Sequence, residues 1–180
     1  GTGFKYNITQ WLVNLGENGE KYMFTHNPRF GYLFFLSQMK SGDTRDMWNE
    51  VLKIIFYILA IVGIIVISKQ KTWWKKAAML VSIIILLPTN SGFYCGLYLF
   101  PIVVLFFNEE KHNWLDILYM LSMIVILNPF QLMTKKGVNI TLTAANIAMF
   151  VFAGLLLIDN IVNFIRVLIE QRRMKGALPN

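Results

Sequence analysis

Residues 77–87 and 93–107 carry no acidic or basic side chain, and only Pro88-Thr89-Asn90-Ser91-Gly92 separates them. As helices, these runs of eleven and fifteen residues would reach roughly 16 and 23 Å, short of a bilayer hydrocarbon core of about 30 Å. Non-helical backbone at membrane depth is tolerated only where protein or a watery cavity satisfies its polar groups. The interruption is therefore a candidate site, and it points to a membrane protein with short or broken helices.

Composition supports that reading. Apolar residues make up 56% of the 180, mean hydropathy is +0.50, and charged residues make up 15%, against about a quarter in soluble domains. Between Val51 and Asn108 every charge is a lysine. The net charge of +7 does not imply nucleic acid. The basic residues stand at the ends of apolar blocks, where cytoplasmic flanks and anionic headgroups account for them. No basic, aromatic-interleaved stripe occurs, so no nucleic-acid partner is expected. Cys95 is the single cysteine, which excludes an internal disulfide and a multi-cysteine metal site. His26 and His112 lie far apart in polar segments, and neither a metal nor a cofactor is expected.

The expected fold class is all-α: a polytopic transmembrane bundle of about five segments, some short or broken. Residues 1–46 form a glycine-punctuated extracytoplasmic segment, and residues 47–180 form the transmembrane domain. Within the head, the ten apolar residues 30–39 are too few to span and predict a helix lying in the interface or packed on the bundle. The spans are expected at 51–68, 77–87, 93–107, 115–130 and 140–158, the last continuing into a polar tail. Lys69-Gln70-Lys71-Thr72-Trp73-Trp74-Lys75-Lys76 has the lysine–tryptophan character of a cytoplasmic interface. Alternation then places residues 108–114 and the C-terminus inside, and the head, the break and residues 131–139 outside. The expected location is the cell membrane, with membrane lipid as a partner. The chain opens Gly1-Thr2-Gly3 without a signal-peptide pattern and is read as the C-terminal part of a longer protein.

Several residues could carry chemistry. Thr89, Asn90 and Ser91, with Tyr94 and Tyr98 one helical turn apart, offer hydroxyl and amide groups suited to a phosphate or sugar. The plainer alternative is that Asn90 or Ser91 caps the helix starting at Phe93. In the head, Thr25-His26-Asn27-Pro28-Arg29 precedes the interfacial helix. Arg29 could pair with a lipid-linked phosphate and His26 assist it, or both could be solvated loop residues. Asp159, with Asn160 and Asn163, sits near the inner end of the last span, where snorkelling or pairing with Arg166 is expected. Glu109-Glu110 reads as a solvated loop, and Asp46 and Glu50 as residues of a helix start. No arrangement of a catalytic base is visible.

The stretch Leu87-Pro88-Thr89-Asn90-Ser91-Gly92-Phe93-Tyr94-Cys95-Gly96-Leu97-Tyr98-Leu99-Phe100-Pro101 resembles a late segment of bacterial GT-C membrane glycosyltransferases of the α-1,2-mannosyltransferase-like group. Asn27-Pro28-Arg29-Phe30-Gly31-Tyr32-Leu33 is similar to that family's outer-loop motif. The resemblance covers about residues 26–107; beyond it only hydropathy matches. It implies transfer of a sugar from a polyprenyl-phosphate donor to an extracytoplasmic glycan or lipid acceptor, with inversion. It also implies that His26, Asn27, Arg29, Asn90, Ser91, Tyr94 and Tyr98 line the substrate site, while the catalytic acid lies in an earlier outer loop outside this chain. The alternatives are a fragment of a transporter, flippase or polysaccharide polymerase, which also use broken helices, or a non-catalytic membrane subunit.

Overall fold

A computed structural model of the chain describes residues 30–37, 39, 42–87, 93–128, 132 and 140–176. Among the described residues the secondary structure is entirely helical. The elements are α1 (Tyr32–Ser37), α2 (Asp43–Ile67), α3 (Trp73–Leu86), a 3₁₀ segment (Phe93–Leu99) running into α4 (Phe100–Phe107), α5 (Trp114–Ile126) and α6 (Ile140–Gly176).

Local chemistry explains most boundaries. Gly42 precedes α2 with φ 147 and no side-chain cap, and Asp43 and Asp46 place negative charge in the first turn, where it complements the helix dipole. Pro101 stands in the first turn of α4, where its missing N–H removes no helical hydrogen bond. Asn113 starts α5 with a capping box: its side chain accepts from the Leu115 and Asp116 N–H groups, and the Asp116 carboxylate accepts from the Asn113 N–H at 2.7 Å. Helix α5 ends at Ile126, short of the expected 130, because Asn128 precedes Pro129 and that position disfavours helical backbone. The last helix, whose span is expected to end near 158, continues as α6 to Gly176 and takes in the polar tail at residues 170–175. No proline or glycine interrupts residues 155–175, and most are good helix formers.

Two helices are long and apolar enough to cross a membrane, α2 and α6. Only 17% of the most apolar stretch of α2 is buried in the protein, whereas the core helix of a soluble fold is mostly buried. Ile54, Ile58, Ile61 and Ile65 are all exposed along it, at the spacing that puts them on one face. The 14 residues of α3 and 13 of α5 span roughly 20 Å each. The block 93–107, expected as one helix, is divided between the 3₁₀ segment and α4.

Contacts define a chain that runs back and forth between two ends, one near Phe30 and one near Gln70. Trp74, at the start of α3, packs edge-on against Phe106 of α4 and Tyr119 of α5, with ring centroids 5.0 and 5.2 Å apart. The buried core continues through Ala78, Met79 and Ile85 of α3, Ile102 of α4, and Met123 and Ile126 of α5. Helix α6 lays one stripe against it: Leu142, Ala145, Met149, Phe152 and Leu156 are buried, at alternating three- and four-residue spacing that keeps them on one face. The tryptophan pair therefore divides. Trp73 is 73% exposed, whereas Trp74 is 1% exposed and central to the core instead of lying at an interface. Helix α1 is packed on the bundle, with Tyr32, Leu33 and Leu36 buried against Leu52, Phe56 and Phe150.

Gly63 sets the α2–α3 approach. A Cβ there would lie 2.5 Å from Met79 Cε and 3.3 Å from Ile83 Cδ1. Both are ends of flexible side chains, so Gly63→Ala should change stability little. Gly63→Leu should destabilise by about 1–3 kcal/mol through overpacking, measured by thermal unfolding in detergent.

Candidate functional site

Buried amide side chains stand towards both ends of this apolar bundle, and α6 serves both ends through a repeated device. At the first end, Asn146 is fully buried; its Nδ2 donates to the Leu142 carbonyl one turn back at 3.0 Å. That leaves Oδ1 to accept the Gly31 N–H at 3.0 Å. At the other end, fully buried Asn160 donates to the Leu156 carbonyl at 2.8 Å and accepts from Gln70 Nε2 at 2.8 Å. The two asparagines are fourteen positions apart, roughly 21 Å along the helix. A buried amide without partners costs several kcal/mol, so each asparagine compels a particular backbone segment to dock.

At the Phe30 end, the docked segment lies beside both flanks of the Pro88–Gly92 interruption. Gly31 has φ 93, which favours glycine, and a Cβ on it would come within 3.3 Å of the Leu86 carbonyl oxygen. The Phe30 ring lies 3.4 Å from where a Gly96 Cβ would be, and Ile126 of α5 closes the same spot. Nearby in sequence, the start of α6 is tied to Leu132, whose N–H donates to buried Thr141 Oγ1 at 2.9 Å and whose carbonyl accepts the Ile140 N–H at 2.8 Å.

Of the residues expected to form the site, His26, Asn27, Arg29, Asn90 and Ser91 lie outside the described residues, as does Thr89. Tyr94 belongs to the 3₁₀ segment by its backbone, and its side chain is outside the described residues. Tyr98 follows on the same segment and is exposed. The described neighbours of the two motifs, Phe30–Gly31 on one side and Leu86 and Gly96 on the other, are in contact. Cys95 is buried between them in sequence, in the 3₁₀ segment instead of an α-helix.

The Gln70 end holds a denser polar network, and here one expectation is corrected. Asp159 pairs with Lys75, not with Arg166: Nζ lies 2.6 Å from Oδ2, and both side chains are largely buried. The reason is geometric, because the start of α3 packs on α6 and brings Lys75 to it from 84 positions away. Lys75 also lies over the Trp74 and Tyr119 rings, at 5.4 and 5.9 Å from their centroids. The Gln70 Oε1 accepts the Lys71 and Thr72 N–H groups, and Asn163 Nδ2 donates to the Lys69 carbonyl at 3.1 Å. The turn between α2 and α3, together with the start of α3, is thus bound to α6 at three points.

Asp116, which the sequence reading did not single out, is buried beside this network. Its Oδ2 accepts the Asn113 N–H and approaches His112 Nδ1 at 3.4 Å, while Oδ1 has no partner among the described residues. His112 in turn stacks on Phe106, 4.7 Å between centroids. The local Asn-x-x-Asp spacing was the available signal for this cap. No group of His, Cys, Asp or Glu suited to a metal ion occurs among the described residues. Apart from Asp116 Oδ1, the buried polar groups at the Gln70 end pair with one another, and the Phe30 end is the one that borders the flanks of the interruption.

Removing half of an asparagine link should leave a buried donor unpaired. Asn160→Ala should therefore cost about 1–3 kcal/mol. Lys75→Met and Asp159→Asn should each cost a similar amount, and the double variant less than their sum, as read from denaturation midpoints. A double variant whose loss equals the sum would show that the ion pair is not energetically coupled.

The chain matches no known protein family, and no characterised protein or solved structure matches it either.

Proposed function

We propose that this chain is the membrane region of a glycosyltransferase that moves a sugar from a polyprenyl-phosphate donor to an extracytoplasmic glycan or lipid acceptor. The observation that carries the reading is the meeting of two sequence motifs at one end of the bundle. The Phe30–Gly31 segment, which directly follows His26, Asn27 and Arg29, abuts Leu86 and Gly96, which bracket Asn90 and Ser91. Both motifs are those in which the sequence is similar to GT-C enzymes.

Physical chemistry is consistent with such a role. A guanidinium at position 29 suits a diester phosphate, because its planar fork donates two parallel hydrogen bonds. The Asn90 amide and Ser91 hydroxyl can donate to phosphate or accept from sugar hydroxyls, and Tyr94 and Tyr98 offer an aromatic face with a polar tip. In this reading the five segments form a multi-pass membrane bundle in which α2 and α6 are the full spans and the others are short or broken. Helices α3 and α5 cross in part as short helices, and the turn holding Gln70 lies in the cytoplasm, where its lysines satisfy the positive-inside bias.

The topology is testable by itself. In a Cys95→Ala background, single cysteines at Lys71 and Glu110 should react with membrane-impermeant maleimide only from the cytoplasmic side, and one at Leu132 only from the outside. Labelling of Lys71→Cys from the outside would invert the arrangement and remove the proposed site from the extracytoplasmic face.

For the activity, sugar transfer from a polyprenyl-phosphate donor should be assayed on the protein in its full-length natural form. Arg29→Ala and Asn90→Ala should each lower turnover by about tenfold or more, the scale expected when a charge-assisted contact to a phosphate is lost. Unchanged turnover in both variants would take these residues out of the site. Vesicle transport of substrate with no requirement for a lipid-linked donor would favour a transporter instead.

A further inference from the structure

We propose that the cleft between α2, α3 and α6 is a binding site for one acyl chain of a membrane phospholipid. The cleft has a volume of about 130 Å³, and its walls include Phe56 and Ala60 of α2, Met79 and Ser82 of α3, and Gly154 and Leu157 of α6. Ser82 is the polar side chain in the lining, and its hydroxyl already donates to the Ala78 carbonyl at 2.8 Å. The cleft therefore asks for no hydrogen bond and suits only an apolar occupant.

Gly154 indicates that the space is there for something. A glycine inside a helix costs about 1 kcal/mol relative to alanine, and within apolar bundles its usual return is close approach of a second helix. Gly63 fits that pattern, with Met79 against it. Gly154 does not: nothing lies within 4 Å of where its Cβ would be. The missing side chain leaves the cleft open without bringing helices together. Its volume is in the class of apolar cavities, about 150 Å³, that remain dry and take up small hydrocarbons.

The occupant follows from what surrounds the mouth. Leu59, on the cleft's rim, is exposed, and so are Ile55 and Ile58 beside it on α2, the helix with the least burial of the two long enough to cross a membrane. The inference rests on the reading of α2 as a membrane span. On that basis the medium at the mouth is hydrocarbon, and a lipid tail can enter without crossing a polar barrier. Association in such a medium comes from packing and not from the hydrophobic effect. A chain segment seated in the cleft gains contacts with walls that otherwise face a void.

The test is photolabelling of the protein in nanodiscs of phosphatidylcholine whose acyl chain carries a mid-chain diazirine, with sites mapped by mass spectrometry. The peptide containing Ala153, Gly154 and Leu157 should be labelled, and Gly154→Leu should lower that labelling several-fold. The exposed isoleucines of α2 should label equally in both proteins. Ala60→Phe fills the cleft from the opposite wall and should act likewise if Gly154→Leu does not fold. Labelling at 153–157 that neither variant changes would overturn the proposal. So would crosslinks from this cleft to residues 1–29 or to a second copy of the chain. Absence of label on α2 as well would mean that the membrane reading itself has failed.

Discussion

Two asparagines on one helix organise the whole bundle. An amide side chain in an apolar interior must find partners for its donors and its acceptor. Asn146 and Asn160 each spend a donor on their own helix, four residues back, and present the carbonyl oxygen to a distant segment. One receives the backbone of Gly31, the other the side chain of Gln70. Helix α6 thus acts as a rigid post with a fixture near each end. The segment at Phe30 and the turn between α2 and α3 take their places from it. Apolar packing could hold these elements against α6, but it is not directional and would tolerate sliding. The hydrogen bonds select one register.

The two fixtures lead to different local outcomes. At the Gln70 end the surrounding groups complete one another: Lys75 with Asp159, Asn163 with the Lys69 carbonyl, and Gln70 with the N–H groups that follow it. Apart from Asp116 Oδ1, little buried polar capacity is left there among the described residues. At the Phe30 end the Gly31 N–H donates to Asn146, and in sequence this segment directly follows a histidine, an asparagine and an arginine. That asymmetry is why the proposed chemistry is assigned to the Phe30 end. A lipid-linked substrate would also reach this end without passing through the lysine-rich turn.

Much of the fold was legible in the sequence. Charge-free runs located the helices, and turn residues located most of the boundaries, because helix formation and its termination are governed by neighbours within four positions. Three of the failures share one cause. The division of 93–107 into a 3₁₀ segment and α4, the opposite fates of Trp73 and Trp74, and the Lys75–Asp159 pair all depend on contacts between residues far apart in the chain. No periodicity encodes which of two adjacent tryptophans meets Phe106 and Tyr119. The candidate site was legible as motifs, since prolines, glycines and polar residues amid apolar runs are conspicuous. Their proximity was not, because it depends on the Gly31–Asn146 bond across 115 positions.

Sequence alone determined that this chain is helical and rich in segments suited to a bilayer. Helix-forming apolar runs without charges leave few other solutions once the backbone must satisfy itself. It also determined that polar groups would collect at breaks and ends. Only the tertiary structure decided which polar groups are used up in holding the bundle together and which segments meet at the interruption. Pairing is a property of three-dimensional neighbours: a buried lysine, aspartate or asparagine is defined by the partner that packing delivers to it, and that partner can come from anywhere in the chain.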